Sequence, residues 1–571
     1  MTKLFNDPSV FMDEMLEGFF DIYPQYVSRV PGGMVRSTSS AESKVSVVVG
    51  GGSGHYPAFY GVVGDGFADG AVVGNIFTSP STQDVYNVAK TANNGGGVLL
   101  ITGNYAGDVL NFKQAQDKLN SAGIQTHYLW TTDDIASATI EEKHKRRGIA
   151  GSFAVFKVAG AAAEEGSTLD EVFRIATKAN DSVRTYGVGF SGCTLPGAES
   201  TLFSVPKGMM ELGLGIHGEP GISEGAIPSS EELANILVPG VLKELKDSPI
   251  KRIAVILNGL GATKYEELFV LWKSVSQLLK AAGYEVVQPE VGEIVTSLEM
   301  AGCSLSIMLL DSELERLWCA PADTPAYRKS PRSITSHAKS FSNTAENVQV
   351  NDSKISSSAF SHKAASEVSD IFGHLLTMLM SAETELGKID AVAGDGDHGR
   401  GMVKGAKAAY EASQVIVARG AGLSSVFTAI GDSWAEKAGG TSGVLWGAAL
   451  GSAAKSLDDN ASTLSPSQII DLFNQGVRTI QELGKASPGD KTMLDAMHPF
   501  CETLALEYNN GATFNDAWST ASQVAEKAAQ ETAHLIPKIG RARPLAERSL
   551  GHPDAGAVSF AMIVQTINTH L

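Results

Sequence analysis

Three carboxylates fall within eight residues of this 571-residue chain. They are Asp390, Asp395 and Asp397, in the run Ile389-Asp390-Ala391-Val392-Ala393-Gly394-Asp395-Gly396-Asp397-His398-Gly399. Left to themselves they repel one another, and a hard divalent cation neutralises them. An all-oxygen set favours Mg²⁺ or Ca²⁺ over zinc. A twelve-residue Ca²⁺ loop counted from Asp395 would need a bidentate Glu where Ala406 stands. Mg²⁺ takes a few carboxylates and completes its shell with water and substrate phosphates. The cluster therefore reads as a nucleotide-phosphate site, with a solvated Gly/Asp turn as the alternative.

Three further constellations lie earlier. Val49-Gly50-Gly51-Gly52-Ser53-Gly54-His55-Tyr56-Pro57 ends a strand-like run. It is neither a dinucleotide fingerprint, which would need Gly where Pro57 stands, nor G-x-S-x-G. Its successive backbone N–H groups can grip ligand oxygens, with His55 as acid, base or donor; a tight turn with a structural His reads equally well. Thr102-Gly103-Asn104-Tyr105-Ala106-Gly107-Asp108 puts a carboxylate at another strand end, where α/β folds keep their sites; a helix N-cap is the alternative for Asp108. Gly213-Leu214-Gly215-Ile216-His217-Gly218-Glu219-Pro220-Gly221 sets His217 among small residues, approachable by a ligand or merely structural. Later come Gly439-Gly440-Thr441-Ser442-Gly443, Pro488-Gly489-Asp490-Lys491-Thr492-Met493, Gly540-Arg541-Ala542-Arg543 and His552-Pro553-Asp554-Ala555-Gly556-Ala557. Glycine and hydroxyl loops at helix starts suit phosphate oxygens. There is no Walker A sequence and no protein-kinase catalytic loop.

The elements that must position these residues change in character near residue 330. Before it, Lys44–Val49, Val98–Thr102, Ile253–Leu257 and Ser306–Leu310 are apolar runs ending at turns and separated by helical stretches. That pattern predicts α/β architecture with largely parallel pairing. From about Ser330 to Ser358 the chain is serine-rich and polar, a linker signature. After it, Val368, Ile371, Phe372, Leu375, Leu376 and Leu379 recur at helical spacing, and Ala-rich amphipathic stretches follow. Residues 356–571 read as all-helical. The formal charge of −18 argues against nucleic acid and anionic membranes as main partners. Four scattered cysteines without CxxC spacing, no signal-peptide pattern at the start and no apolar run near 20 residues make a cytoplasmic protein the simplest expectation.

Taken in order, the GGGSGH, NYxGD, GIHGEPG, GDGD, GGTSG, GDKTM and GRARPL stretches resemble the dihydroxyacetone kinase family, in its single-chain, ATP-dependent form. The resemblance covers the chain apart from the linker. It implies a multidomain fold: an N-terminal α/β substrate region (DhaK-like, 1–329, with subdomains splitting near 190), a linker (330–357), and an all-α helical-barrel nucleotide domain (DhaL-like, 358–571). It implies ATP and Mg²⁺ as cofactors and phosphorylation of a short-chain ketose held on His217 as a hemiaminal. Asp108 matches the proposed base and His55 the histidine that hydrogen-bonds substrate. Gly52, Ser53 and Gly103 fall in the substrate segments. Asp390, Asp395 and Asp397 match the Mg²⁺ ligands. His398, Gly399, Arg400, Gly401, Thr441, Ser442, Gly484, Met493, Arg541, Asp554, Ala555 and Gly556 match the segments lining ATP. Two departures point to erythrulose ahead of dihydroxyacetone. Gly103 stands where these kinases commonly carry Lys, leaving room for another hydroxymethyl group. The run Asp397-His398-Gly399-Arg400-Gly401-Met402 looks more like the erythrulose-kinase branch. The resemblance also implies a homodimer in which the helical domain of one chain can serve the other. A cyclising FAD-AMP lyase activity and a catalytically silent ketose sensor are the alternatives.

Overall fold

The computed structural model describes residues 2–40, 42–246, 248–330, 355–539 and 546–571. Arg541 and most of the expected linker therefore lie outside the described residues. The chain divides into two compact units, Met1–His337 and Ala338–Leu571.

The first unit holds two large sheets. One is built from β1 (Val27–Val30), β2 (Gly33–Arg36), β3 (Lys44–Ser53), β4 (Gly70–Ile76), β5 (Gly95–Gly103) and β6 (Thr126–Thr131), in the order β1-β2-β4-β3-β5-β6. Strands β4, β3, β5 and β6 are parallel, and β1 and β2 form an antiparallel edge. All ten residues of β3 are buried. The other sheet contains β7 (Val183–Gly189), β8 (Met209–Leu212), β9 (Ser223–Ala226), β10 (Arg252–Gly259), β11 (Glu285–Val286), β12 (Glu290–Glu293) and β13 (Gly302–Leu309).

This second sheet corrects the expectation of largely parallel pairing. Only β10 with β11 and with β12 run parallel; β10–β13, β13–β7, β7–β8 and β8–β9 are antiparallel. Strands β10 and β13 nonetheless read as continuous apolar runs. One face of them packs under helices Ser230–Leu245 and Tyr265–Ala281, the other toward helix Gly151–Glu164. Burial on both faces, not strand direction, produces that pattern. Helix Gly151–Glu164 contacts strands of both sheets and is buried along nearly its whole length. Its sequence is apolar on nearly every face, as such a position demands, and the one buried lysine, Lys157, donates to the Leu317 carbonyl at 3.1 Å.

The second unit is helical, with no strand among its described residues. Its long helices are Ala359–Asp390, His398–Ala418, Leu423–Ala438, Gly440–Ala454, Pro466–Gly484, Leu494–Asn509, Phe514–Glu531 and Ala555–Asn568. They enclose an apolar core around Leu379, Trp434, Phe500, Trp518 and Phe560. Ser465 with Gln468 closes a capping box on one helix, whereas several others begin without a side-chain cap. No helix among the described residues is long and apolar enough to cross a membrane.

Candidate active site

In the first unit a cavity of about 420 Å³ opens at the carboxyl ends of β3 and β5. Gly52, His55, Gly103, Asp108 and His217 all line it. Ser53 lies just behind the wall, its buried hydroxyl without a hydrogen-bond partner.

The two histidines face each other, Nε2 to Nε2, at 3.0 Å. Their other nitrogens define their tautomers. His55 Nδ1 lies 2.7 Å from the carbonyl oxygen of Thr296. A carbonyl only accepts, so Nδ1 carries the hydrogen and Nε2 points bare into the cavity. Burial, aided by the neighbouring His217, lowers the His55 pKa to about 3, so this ring is neutral in the working range. His217 Nδ1 lies 3.0 Å from Glu219 Oε1, and the His217 backbone N–H donates to Glu219 Oε2 at 2.6 Å. Burial works against the Glu219 carboxylate, but the hydrogen bond and charge of His217 outweigh it and hold its pKa at about 2. An ionised carboxylate only accepts, so His217 also carries Nδ1–H and leaves Nε2 as a lone-pair nucleophile.

Asp108 is not a helix cap. The helix Ala106–Ser121 has Tyr105 at its N-cap, and Asp108 sits in the first turn. One carboxylate oxygen is buried without a partner. Burial pushes its pKa up to about 6, against a hydrogen bond from the Ser79 hydroxyl and the charge of His217. A carboxylate poised there suits general-base work near neutral pH.

The space expected beside Gly103 is not empty. A Cβ at this position would lie 2.8 Å from Cε2 of the Tyr105 ring and 3.1 Å from the Gly148 carbonyl oxygen. The ring itself packs 4.9 Å from the His217 ring, edge to face. Tyr105 thus occupies the ground that a side chain at 103 would need.

In the second unit a cavity of about 340 Å³ gathers the remaining motifs. Asp390 ends helix Ala359–Asp390, and Asp397 precedes helix His398–Ala418. The turn between them is closed by the Gly394 N–H donating to the Asp390 carbonyl at 2.6 Å. One carboxylate oxygen each from Asp390, Asp395 and Asp397 lie within 4.8 Å of one another. These three oxygens fit a hard divalent cation that retains water and phosphate ligands. Thr441, Ser442, Gly484, Met493, Asp554, Ala555 and Gly556 line the same cavity, as do His398 and Gly401.

Helices His398–Ala418, Gly440–Ala454 and Leu494–Asn509 all start at this cavity without a side-chain cap. The dipoles of these helix starts favour phosphate oxygens. His398 Nε2 is 3.0 Å from the Ser559 hydroxyl. Gly399 and Arg400 do not line the cavity. Gly399 is buried where a Cβ would come 2.1 Å from the Glu383 carbonyl oxygen, and Arg400 is exposed. Motif reading missed Glu219, Ser79, Tyr105 and Thr296. Glu219 stands two residues from His217 in a motif already singled out; Thr296 is 241 residues from His55 and carries no local signal.

The Dak1 domain model matches residues 17–326 and the DAK2 domain model residues 392–569. A D-erythrulose kinase of Mycolicibacterium smegmatis is 55% identical over 99% of this chain and 98% of its own. An L-erythrulose kinase of Pectobacterium atrosepticum is 50% identical over 100% and 97%. The crystal structure of the dihydroxyacetone kinase from C. freundii in complex with AMP-PNP and Mg²⁺ superposes with a TM-score of 0.59 at 28% identity, covering 100% of both chains. The chain belongs to the dihydroxyacetone kinase family, in the branch of its erythrulose kinases.

Proposed function

We propose that this chain is an ATP- and Mg²⁺-dependent kinase of short-chain ketoses that holds its substrate covalently on His217, with erythrulose preferred to dihydroxyacetone. The observation that carries the covalent step is the bare Nε2 of His217, aimed into a cavity that also holds the poised carboxylate of Asp108.

The chemistry follows from these groups. His217 Nε2 adds to the ketone carbon, and the carbonyl oxygen takes a proton and becomes the hydroxyl of a hemiaminal. An alcohol such as glycerol offers no such carbon and is not captured. Tethering turns the substrate into a fixed partner and removes most of the entropy of alignment. Asp108 then accepts the proton of the terminal hydroxyl as its oxygen attacks the γ-phosphorus in line. Asp390, Asp395 and Asp397 would hold Mg²⁺, which would supply charge neutralisation on the phosphates. The uncapped helix starts, with Thr441 and Ser442, cradle phosphate oxygens, and Met493, Asp554, Ala555 and Gly556 bound the rest of the nucleotide.

Erythrulose is favoured by the run Asp397–Met402 and by the names of the relatives at 55% and 50% identity. Residues 1–329 form the ketose unit, split near 190; 330–357 form the linker; 358–571 form the nucleotide unit. The cytoplasmic protein acts as a homodimer in which the helical unit of one chain serves the ketose unit of the other. The roughly 28 residues of that linker could reach up to ~90 Å when extended.

The test is ADP release from Mg·ATP with D-erythrulose, L-erythrulose, dihydroxyacetone and glycerol in parallel. Turnover with a tetrulose and none with glycerol is expected. A preference for dihydroxyacetone would remove the substrate assignment, and no ketose-dependent ADP would remove the kinase reading.

A further inference from the structure

We propose that Glu219 is the positioning residue of the His217 nucleophile, fixing its Nδ1–H tautomer and balancing the positive charge the ring acquires when Nε2 bonds a ketone carbon. The inference rests on the ketose-kinase reading above and extends it to a residue outside the metal, base and nucleophile set.

The seat of Glu219 is built for this contact. Its two oxygens divide between the Nδ1–H and the backbone N–H of the same histidine. The Gly215 N–H donates to the Glu219 carbonyl at 2.9 Å, closing the turn. A Cβ at Gly215 would collide with Glu219 Oε2, so only glycine leaves room for the carboxylate. Behind it, Arg147 Nη1 stands 3.6 Å from Oε2. Arg147 is itself held by buried Asp134 at 2.9 Å and by the Gly213 carbonyl at 3.1 Å. A fixed cation thus stands behind the carboxylate, on the side away from the histidine.

The charge balance explains the need. Each ring carries Nδ1–H and presents a bare Nε2, and the two Nε2 atoms face each other at 3.0 Å. As His217 attacks, the Nε2–C bond forms, the C=O π pair moves onto oxygen, and the oxygen takes a proton from solvent. The substituted His217 ring is then a cation still carrying Nδ1–H, and that charge lies on the ring that Glu219 contacts. Buried His55, held neutral, does not share it. Without the carboxylate, the Nε2–H tautomer competes and the cationic adduct loses its counter-charge.

The experiment measures ketose and ATP kinetics for wild type, Glu219→Ala, Glu219→Gln and His217→Ala, each with and without added formate or formamide. Glu219→Gln is isosteric and guards against a folding defect, checked by thermal melting. We expect kcat/KM for the ketose to fall about 100-fold in both Glu219 variants, the scale for a group that orients a ligating or reacting His. KM for ATP stays unchanged. Formate restores Glu219→Ala at least in part by refilling the seat with a carboxylate, whereas neutral formamide does not; His217→Ala responds to neither. Activity of both Glu219 variants within about threefold of wild type would overturn the proposal, as would equal rescue by formamide or no rescue by formate. If wild type itself releases no ADP with any ketose, the kinase reading fails first and this inference falls with it.

Discussion

The buried carboxylate of Asp108 makes a prediction that pH alone can test. Its pKa stands at about 6, against an ordinary 3.8, chiefly because burial penalises the charged form. Only the ionised carboxylate can accept the proton of the attacking hydroxyl. At about pH 7 roughly nine-tenths of the free enzyme carries it; at about pH 5 only about a tenth does. The value of kcat/KM for the ketose should therefore fall about tenfold between those points, whereas an ordinary aspartate would stay more than about 90% ionised at both. His55 cannot supply this limb, because its pKa is held at about 3. Ser79 identifies the source. Its hydroxyl lies close to the Asp108 carboxylate and favours the charged form. Ser79→Ala should therefore move the acid limb to higher pH. The assay is direct chromatographic measurement of ADP at saturating Mg·ATP, which avoids coupling enzymes with their own pH limits. A flat profile down to about pH 5, or a limb that Ser79→Ala leaves in place, would refute Asp108 as the base.

Four further outcomes follow from the geometry. Asp395→Ala removes one of three clustered carboxylates; Mg²⁺-dependent nucleotide affinity, read by calorimetry, should drop at least about tenfold while ketose binding is unchanged. Gly399→Ala forces a Cβ against the Glu383 carbonyl, and should destabilise the helical unit by about 1–3 kcal/mol, seen as a lower melting temperature. Gly103→Lys must displace the Tyr105 ring and should reduce kcat/KM for erythrulose more than for dihydroxyacetone; equal losses would discard the specificity argument. Mixing His217→Ala chains with Asp395→Ala chains should restore activity to two individually inactive proteins if helical units serve partner chains, and should leave the mixture inactive if each chain serves itself.

Much of this arrangement was legible because the residues are local. The Asp390–Asp397 cluster, the glycine and hydroxyl loops at helix starts and the apolar strands ending at Gly52 and Gly103 are properties of short segments, and the structure brings them to two cavities. What stayed hidden is what only tertiary contact supplies. The direction of β10 and β13 was unreadable because burial on both faces gives an antiparallel strand the pattern of a parallel one. The tautomer of His55 is set by Thr296 from a distant loop. The raised pKa of Asp108 arises from burial that no motif encodes. Gly103 was visible as a missing side chain, yet the ring filling its place belongs to Tyr105, two residues on, whose rotamer the sequence does not disclose.

Phosphorus NMR of one reaction mixture tests the central claim most directly. Wild-type protein, ATP, Mg²⁺ and erythrulose should yield ADP and a ketose phosphate in equal amounts, and both signals should vanish with Asp395→Ala and with His217→Ala. Release of ADP with inorganic phosphate alone, or ketose phosphate formed equally well by the His217→Ala protein, would contradict an ATP-dependent kinase that works on a covalently held ketose.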